Sequence, residues 1–257
     1  MSRLRPLALA TALTLALPLA QAQVQAQAKV KPDGQWRAAL GLGASVASGN
    51  SSASNVSLTG EAVRATDATK SSLYGALQYA RSDGETTNEQ LRLGGRHDRD
   101  IGETTFAFGG LDLERNTPAN VSLRTQLNAG LGMHVIESAT TTLDVFAGLG
   151  YTADRYVTAT VVDGATRERY GYASLLLGVE STHAWTDTTD FKQRLNVYPN
   201  LRHRGEYRAT WDAGLSVAMN KTLSLSVGLA VAHNSEPGDG RKATDTLLTT
   251  GVSVTFD

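Results

Sequence analysis

The 257-residue chain contains no cysteine. That excludes a lipid-anchored lipoprotein, a disulfide framework, and any thiolate nucleophile or metal ligand. Past the amino terminus, no apolar run approaches the roughly 18 residues of a membrane-spanning helix. No concentrated basic face occurs either, which argues against a nucleic-acid partner. Leaving out Arg3 and Arg5 of the leader described next, 22 basic residues stand against 25 acidic ones. No repeated acids mark a calcium loop, and no cofactor or metal motif is present.

The first apolar run has its own explanation. Met1–Arg5 carries two arginines and no acid, Leu7–Ala20 is apolar apart from two threonines, and Ala20-Gln21-Ala22 closes it. A basic n-region, a short apolar h-region and an A-x-A site form a secretory signal peptide, with cleavage expected after Ala22. The run is too short for the roughly 20 residues a bilayer needs. Residues 23–34 are rich in Gln and Ala, end in Pro-Asp-Gly, and are expected to form a flexible periplasmic tail.

From residue 35 onward apolar and polar or small residues alternate with period two, the mark of β-strands. Leu223, Leu225, Val227, Leu229 and Val231 interleave with Ser224, Ser226, Gly228, Ala230 and Ala232. Glycine at this density would weaken a helix by about 1 kcal/mol each. Twelve stretches of this kind are predicted, at 35–48, 53–66, 71–82, 89–99, 104–116, 121–137, 141–155, 168–185, 190–202, 207–219, 222–234 and 244–256. Connections after even-numbered stretches are short, whereas several after odd-numbered ones are longer, notably 156–167 and 235–243. An even strand count with short turns at one end and longer loops at the other predicts an all-β fold over residues 35–257. The expected form is a closed antiparallel transmembrane barrel of the outer-membrane type, both termini in the periplasm.

Alternation alone does not say which face meets lipid, but aromatic placement does. Trp36, Trp185, Phe191 and Phe256 fall at the periplasmic end of the apolar parity, and Tyr79, Tyr151, Tyr207 and Trp211 at the other end. Two rings of aromatics are the girdles of a lipid-facing surface. The opposite parity then lines the lumen, with Arg37, Glu61, Arg92, Arg96, Asp98, Asp112 and Glu114, followed by Arg124, Asp144, Glu180, Lys192, Arg194, Arg202 and Asp212. Seven are basic and seven acidic, as expected of a lumen filled by neutralising pairs. Gly41, Gly43, Gly130, Gly132, Gly148 and Gly150 share this parity and would leave room for the long charged side chains. Leu248, Val252, Val254 and Phe256 alternate to the chain end, the form in which such barrels present their last strand to the outer-membrane insertion machinery, with Asp257 following the aromatic.

Outer-membrane barrels include hydrolases, so catalytic residues were sought. Neither H-E-x-x-H nor G-x-S-x-G occurs among the five histidines and the serines. His134 lies on the inward parity in reach of Asp144, a pair that could orient a serine or water but more simply makes a lumen hydrogen bond. A rim enzyme acting on lipid or peptide is therefore the alternative to a pore or a structural barrel. Arg81, Arg115 and Arg155 close the third, fifth and seventh stretches on the outward parity, where guanidinium groups suit the phosphates of lipopolysaccharide.

Gly49-Asn50-Ser51, Tyr79-Ala80-Arg81-Ser82-Asp83-Gly84, Arg92-Leu93-Gly94-Gly95-Arg96-His97-Asp98, Gly109-Gly110-Leu111-Asp112 and Gly148-Leu149-Gly150-Tyr151 follow one another in an order that resembles a known family. It is the YdiY-like family of salt-induced outer-membrane proteins, a domain of unknown function, and the resemblance spans essentially the whole mature chain. It implies an outer-membrane barrel and a role in osmotic or envelope stress, and it supplies no catalytic residues. With the lumen chemistry, it leads to the expectation of an outer-membrane protein that contacts lipid and lipopolysaccharide and acts as a narrow or gated pore for a small solute, or as a structural barrel.

Overall fold

A computed structural model describes residues 27–47, 53–162, 164–237 and 242–256. The segment expected as a signal peptide lies outside the described residues. The strands are β1 (Trp36–Ala47), β2 (Ala53–Ala65), β3 (Thr69–Ser82), β4 (Glu85–Asp100), β5 (Thr105–Asn116) and β6 (Val121–Glu137). They continue with β7 (Thr141–Val162), β8 (Ala165–Thr186), β9 (Thr189–Pro199), β10 (Tyr207–Ala218), β11 (Leu223–Asn234) and β12 (Thr244–Phe256). Each pairs antiparallel with its sequence neighbours, and β12 returns to β1, closing a twelve-strand up-and-down barrel. Closure gives each strand a neighbour on both sides, where an open sheet edge would leave backbone groups without partners in hydrocarbon. The seam is the shortest pairing: β1 meets β12 over five register pairs, Ala38–Phe256 to Leu42–Val252, against twelve between β1 and β2.

The period-two pattern sorts the faces as expected. Leu40, Leu42, Leu127, Leu131, Leu149 and Leu225 are exposed on the outside, a surface that only lipid would cover. Trp36, Trp185 and Phe256 are exposed at the periplasmic end, and Tyr79, Tyr151, Tyr207 and Trp211 at the other. Trp185 stacks on Phe191 with centroids 5.4 Å apart and ring planes 6° from parallel.

Three boundaries differ from the sequence reading. Residues 156–167, expected as a long loop, extend β7 and β8 instead, because Tyr156-Val157-Thr158-Ala159-Thr160-Val161-Val162 is rich in β-branched residues. Gly164, at φ +67°, turns the chain back. Residues 83–88 likewise shrink to a two-residue turn in which Asp83 (φ 49°) and Gly84 (φ 86°) both take left-handed conformations, as a type I′ hairpin requires. The ninth strand ends at Pro199 rather than near residue 202: Asn200 and Leu201 still donate to the Glu206 (2.8 Å) and Ala173 (3.0 Å) carbonyls, but the chain then turns, with Gly205 at φ +92°.

The segment expected as a tail is partly anchored. Gly34 donates its N–H to the Ala65 carbonyl (2.7 Å), and Asp33 accepts a bond from the Arg37 guanidinium (2.8 Å). Ala28 is buried against Ala39 and Val63 on the inner wall, and its N–H reaches the Glu61 carboxylate (3.0 Å).

Candidate functional site: the barrel lumen

Period-two alternation places every second side chain of each strand inside the ring, so the lumen is built from twelve half-strands. Its polar contents are largely paired. Near the periplasmic end, Lys192 Nζ of β9 meets Glu61 of β2 at 2.6 Å. Glu180 of β8 accepts Arg194 Nε at 2.9 Å and also Lys70 Nζ of β3 at 3.4 Å. Further along, Arg92 of β4 lies 3.7 Å from Asp112 of β5 and 4.0 Å from Asp212 of β10. The Tyr74 hydroxyl donates to Asp112. Arg124 of β6 forms a two-pronged bond to Asp154 of β7 (2.7 and 2.9 Å) and lies 3.5 Å from Glu114. Arg96 bonds Asp98 two residues on (2.6 Å).

Three of these pairs cross the lumen. Lys70–Glu180 and Lys192–Glu61 each link strands five steps apart around the ring, and Arg92–Asp212 links strands six apart, the largest separation twelve strands allow. Glu180 is buried and Glu61 nearly so, and a buried carboxylate left without its partner is costly.

The charges do not fill the lumen by themselves. Phe106, Phe108, Phe146, Leu176 and Tyr198 form a buried cluster inside the barrel. Phe108 meets Phe146 edge-on at 5.3 Å, and the Arg96 guanidinium stands 4.3 Å from the centroids of both rings. A desolvated cation over aromatic faces gains about 2 kcal/mol. Of the inward glycines expected to leave room for charged side chains, Gly148 packs against the β6 backbone and Gly150 against Asn128 and Ser174, whereas Gly130 and Gly132, with Gly94 and Gly178, lie beneath rings. A Cβ on Gly132 would overlap the Phe106 ring, one on Gly178 the Phe146 ring, and one on Gly94 the Tyr74 ring. At Gly130 it would strike the backbone of β7 and the Phe108 ring. These four make room for aromatic rings.

Of the expected lumen charges, Arg92, Arg96, Asp98, Asp112, Glu114, Arg124, Asp144, Glu180, Lys192 and Arg194 face inward and are paired. Arg202 does not line the lumen: β9 stops at Pro199, and Arg202 lies exposed in the connection to β10, its N–H bonded to the Asn200 side chain (2.8 Å). His134 meets Asp144 through Nδ1 (2.7 Å) and Asp100 through Nε2 (3.4 Å), with its ring 4.8 Å from Phe106. With a carboxylate at each nitrogen it has no free position from which to activate a serine or water. Among the described residues, no three His, Cys, Asp or Glu side chains converge as metal ligands would.

Sequence reasoning missed Lys70, Asp154, Phe106, Phe108 and Arg208. Asp154, Phe106 and Phe108 share the charged parity of their strands and were accessible to the same argument. Lys70 belongs to a turn-like tetrapeptide, and nothing local marks it as a lumen residue. Arg81, Arg115 and Arg155 are exposed at the outer end. Arg81 bonds the Gly84 carbonyl (2.7 Å), Arg115 lies 3.7 Å from Glu89, and Arg155 pairs in register with Arg169 of β8.

At the outer end the lumen widens into a vestibule with about 890 Å³ of empty space, continuous with solvent. Its lining includes Arg124, Asp154, Tyr156, Tyr172, Tyr198 and Arg208.

The chain is 12% identical to an outer-membrane channel from Pseudomonas putida F1, with a TM-score of 0.50, covering 89% of this chain and 97% of that one. It is also similar to the translocator domain of the autotransporter NalP from Neisseria meningitidis (15% identity, TM-score 0.47, covering 88% of this chain and 90% of that one). In sequence it is 26% identical over 189 residues to the uncharacterized protein YdiY of Escherichia coli strain K12, covering 71% of this chain and 69% of that protein. Residues 40–256, nearly the whole barrel, match the family described as "Protein of unknown function, DUF481". The chain belongs to that family.

Proposed function

We propose that this outer-membrane barrel is a narrow, gated pore for small solutes, closed at rest by ion pairs that cross its lumen and by the aromatic cluster packed between them. The observation that carries this reading is the set Lys70–Glu180, Lys192–Glu61 and Arg92–Asp212. Charges that reach across the axis obstruct the lumen, and unlike a packed apolar core they are bonds that can be exchanged for water when the passage opens. Ala28, bonded to the same Glu61 that holds Lys192, adds the amino-terminal segment to the periplasmic closure.

The signal peptide would deliver the chain across the inner membrane, and the alternating strand ending in Phe256 would be taken up by the insertion machinery. Lipopolysaccharide phosphate is the proposed counter-ion at the outer rim. Arg155 and Arg169 stand side by side there, and like charges directly opposed across strands are unfavourable until an anion bridges them.

Single-channel current in planar bilayers tests the gate. The wild type should conduct little at low salt, and conductance normalised to bulk conductivity should rise with ionic strength, since the Debye length shrinks from about 8 Å toward 3 Å. Arg194→Ala and Lys192→Ala should raise it at any salt. Channels that stay closed in wild type and both variants at every ionic strength would replace the pore with a structural barrel.

A further inference from the structure

We propose that the outer vestibule is a binding site for a small oxyanion, a solute bearing a carboxylate or phosphate, anchored by Arg208. This goes beyond the pore reading and does not depend on it, because equilibrium binding needs no passage.

Arg208 faces inward from β10, in register with Tyr198 of β9, and lines the vestibule. Its Nη1 is buried and has no hydrogen-bond partner, and among the described residues no carboxylate lies within 4.0 Å of it. The arginine deeper in the same lining is in the opposite condition, since Arg124 is held by Asp154 on two prongs and flanked by Glu114. Glu114, which lies within the field of Arg208, is committed to Arg124 and Gln90. A buried guanidinium N–H without an acceptor is unfavourable, because its lost hydration is not replaced by a bond. It is the state of a group waiting for a ligand.

The neighbouring groups point to the same ligand chemistry. Tyr156, Tyr172 and Tyr198 line the vestibule, and among the described residues none of their hydroxyls has a hydrogen-bond partner. Phenol O–H and guanidinium N–H are both donors, and an oxyanion offers the matching set of acceptors. Two further polar side chains at the mouth are engaged: Asn200 donates to Glu206 (2.9 Å), and Asn234 to the Glu236 carbonyl (2.9 Å). Glu206 and Glu236 also place negative charge at the rim, so the ligand is held by close donors and not by a broad positive field. The strand ring separates the site from lipid, which makes the source a dissolved solute and not a lipid headgroup.

Isothermal titration of the folded protein in detergent, with inorganic phosphate and glucuronate as probes and glucose as the uncharged control, decides the matter. Saturable binding of either anion without binding of glucose is expected. Arg208→Gln should weaken it at least about tenfold, Tyr198→Phe should weaken it less, and Arg115→Gln, outside the barrel, should leave it unchanged. Arg208→Lys keeps the charge and should recover part of the affinity, which separates a lost contact from a lost fold. No saturable binding of either anion, equal binding of glucose, or undiminished affinity in Arg208→Gln overturns the assignment.

Discussion

The inside of this barrel is assembled from joints between a ring on one strand and a glycine on its neighbour. Phe106 of β5 pairs in register with Gly132 of β6, Phe108 with Gly130, Phe146 of β7 with Gly178 of β8, and Tyr74 of β3 with Gly94 of β4. A ring laid over a glycine covers backbone that a larger residue would hide with its own side chain, and it buries apolar area at little entropic cost. Gly132→Val is expected to cost about 1–3 kcal/mol through overpacking, and Phe106→Ala about 3–5 kcal/mol through the cavity it leaves. Because one joint makes both contacts, the double variant should be less destabilised than the sum of the singles by more than about 0.5 kcal/mol. Urea unfolding in lipid vesicles measures this, and strict additivity would show that ring and glycine do not act together. The parity of Phe106 and Gly132 was legible in the sequence; that they face each other was not, because register between strands is not a local property.

At the scale of elements, the hairpins and the amino-terminal segment behave differently from plain turns and a loose tail. Asp83-Gly84 makes a hairpin tight because both residues tolerate positive φ, and such a dipeptide between alternating runs is a strong short-range signal. The amino-terminal segment could not be read this way. Its anchor is the Asp33–Arg37 pair, with Arg64 Nε bonding the Gly34 carbonyl (2.8 Å). Hydrogen bonds from the Arg37 guanidinium and the Gln35 N–H hold the Asp33 carboxyl below the usual carboxylate range. A depressed folded-state pKa means that the link contributes fully above the unfolded value of about 3.9 and is lost only as pH falls through the lower folded value. Carboxyl NMR titration should therefore place the Asp33 midpoint below about 3.9 and return it toward that value in Arg37→Met. An ordinary midpoint in the wild type would remove the anchor.

For the whole molecule, the controlling feature is inversion: apolar side chains outside, charges and rings inside. That arrangement is stable only where lipid replaces water around the belt. Val227 is exposed on the outer face nearer the middle of β11, and Val227→Arg should cost roughly 2–4 kcal/mol, whereas Thr222→Arg at the turn before the strand should cost about 0–1 kcal/mol. Folding yield into vesicles and the heat-dependent gel shift of the folded barrel report the difference. Equal tolerance at the two positions would mean that the belt does not face lipid. The inversion also explains why the cross-lumen pairs matter. Surface ion pairs contribute at most about 1 kcal/mol, but those enclosed by the ring hold opposite walls together.

The strand count, the lipid and lumen faces, the girdles and most of the inward charges were legible along the chain. Each follows from alternation along one strand, a property of two adjacent residues. That pattern misled where a turn changes the ladder. The turn that closes at Gly205 ended β9 early and put Arg202 outside the lumen, and Gly164 let β7 and β8 run on. Only the closed ring decided the rest: which charge meets which across five or six strands, which glycine receives which ring, and that Arg208 faces the vestibule without a carboxylate at hand. Those are relations between residues as many as 131 positions apart, as with Glu61 and Lys192. They are fixed by register and barrel closure, and no local pattern encodes them.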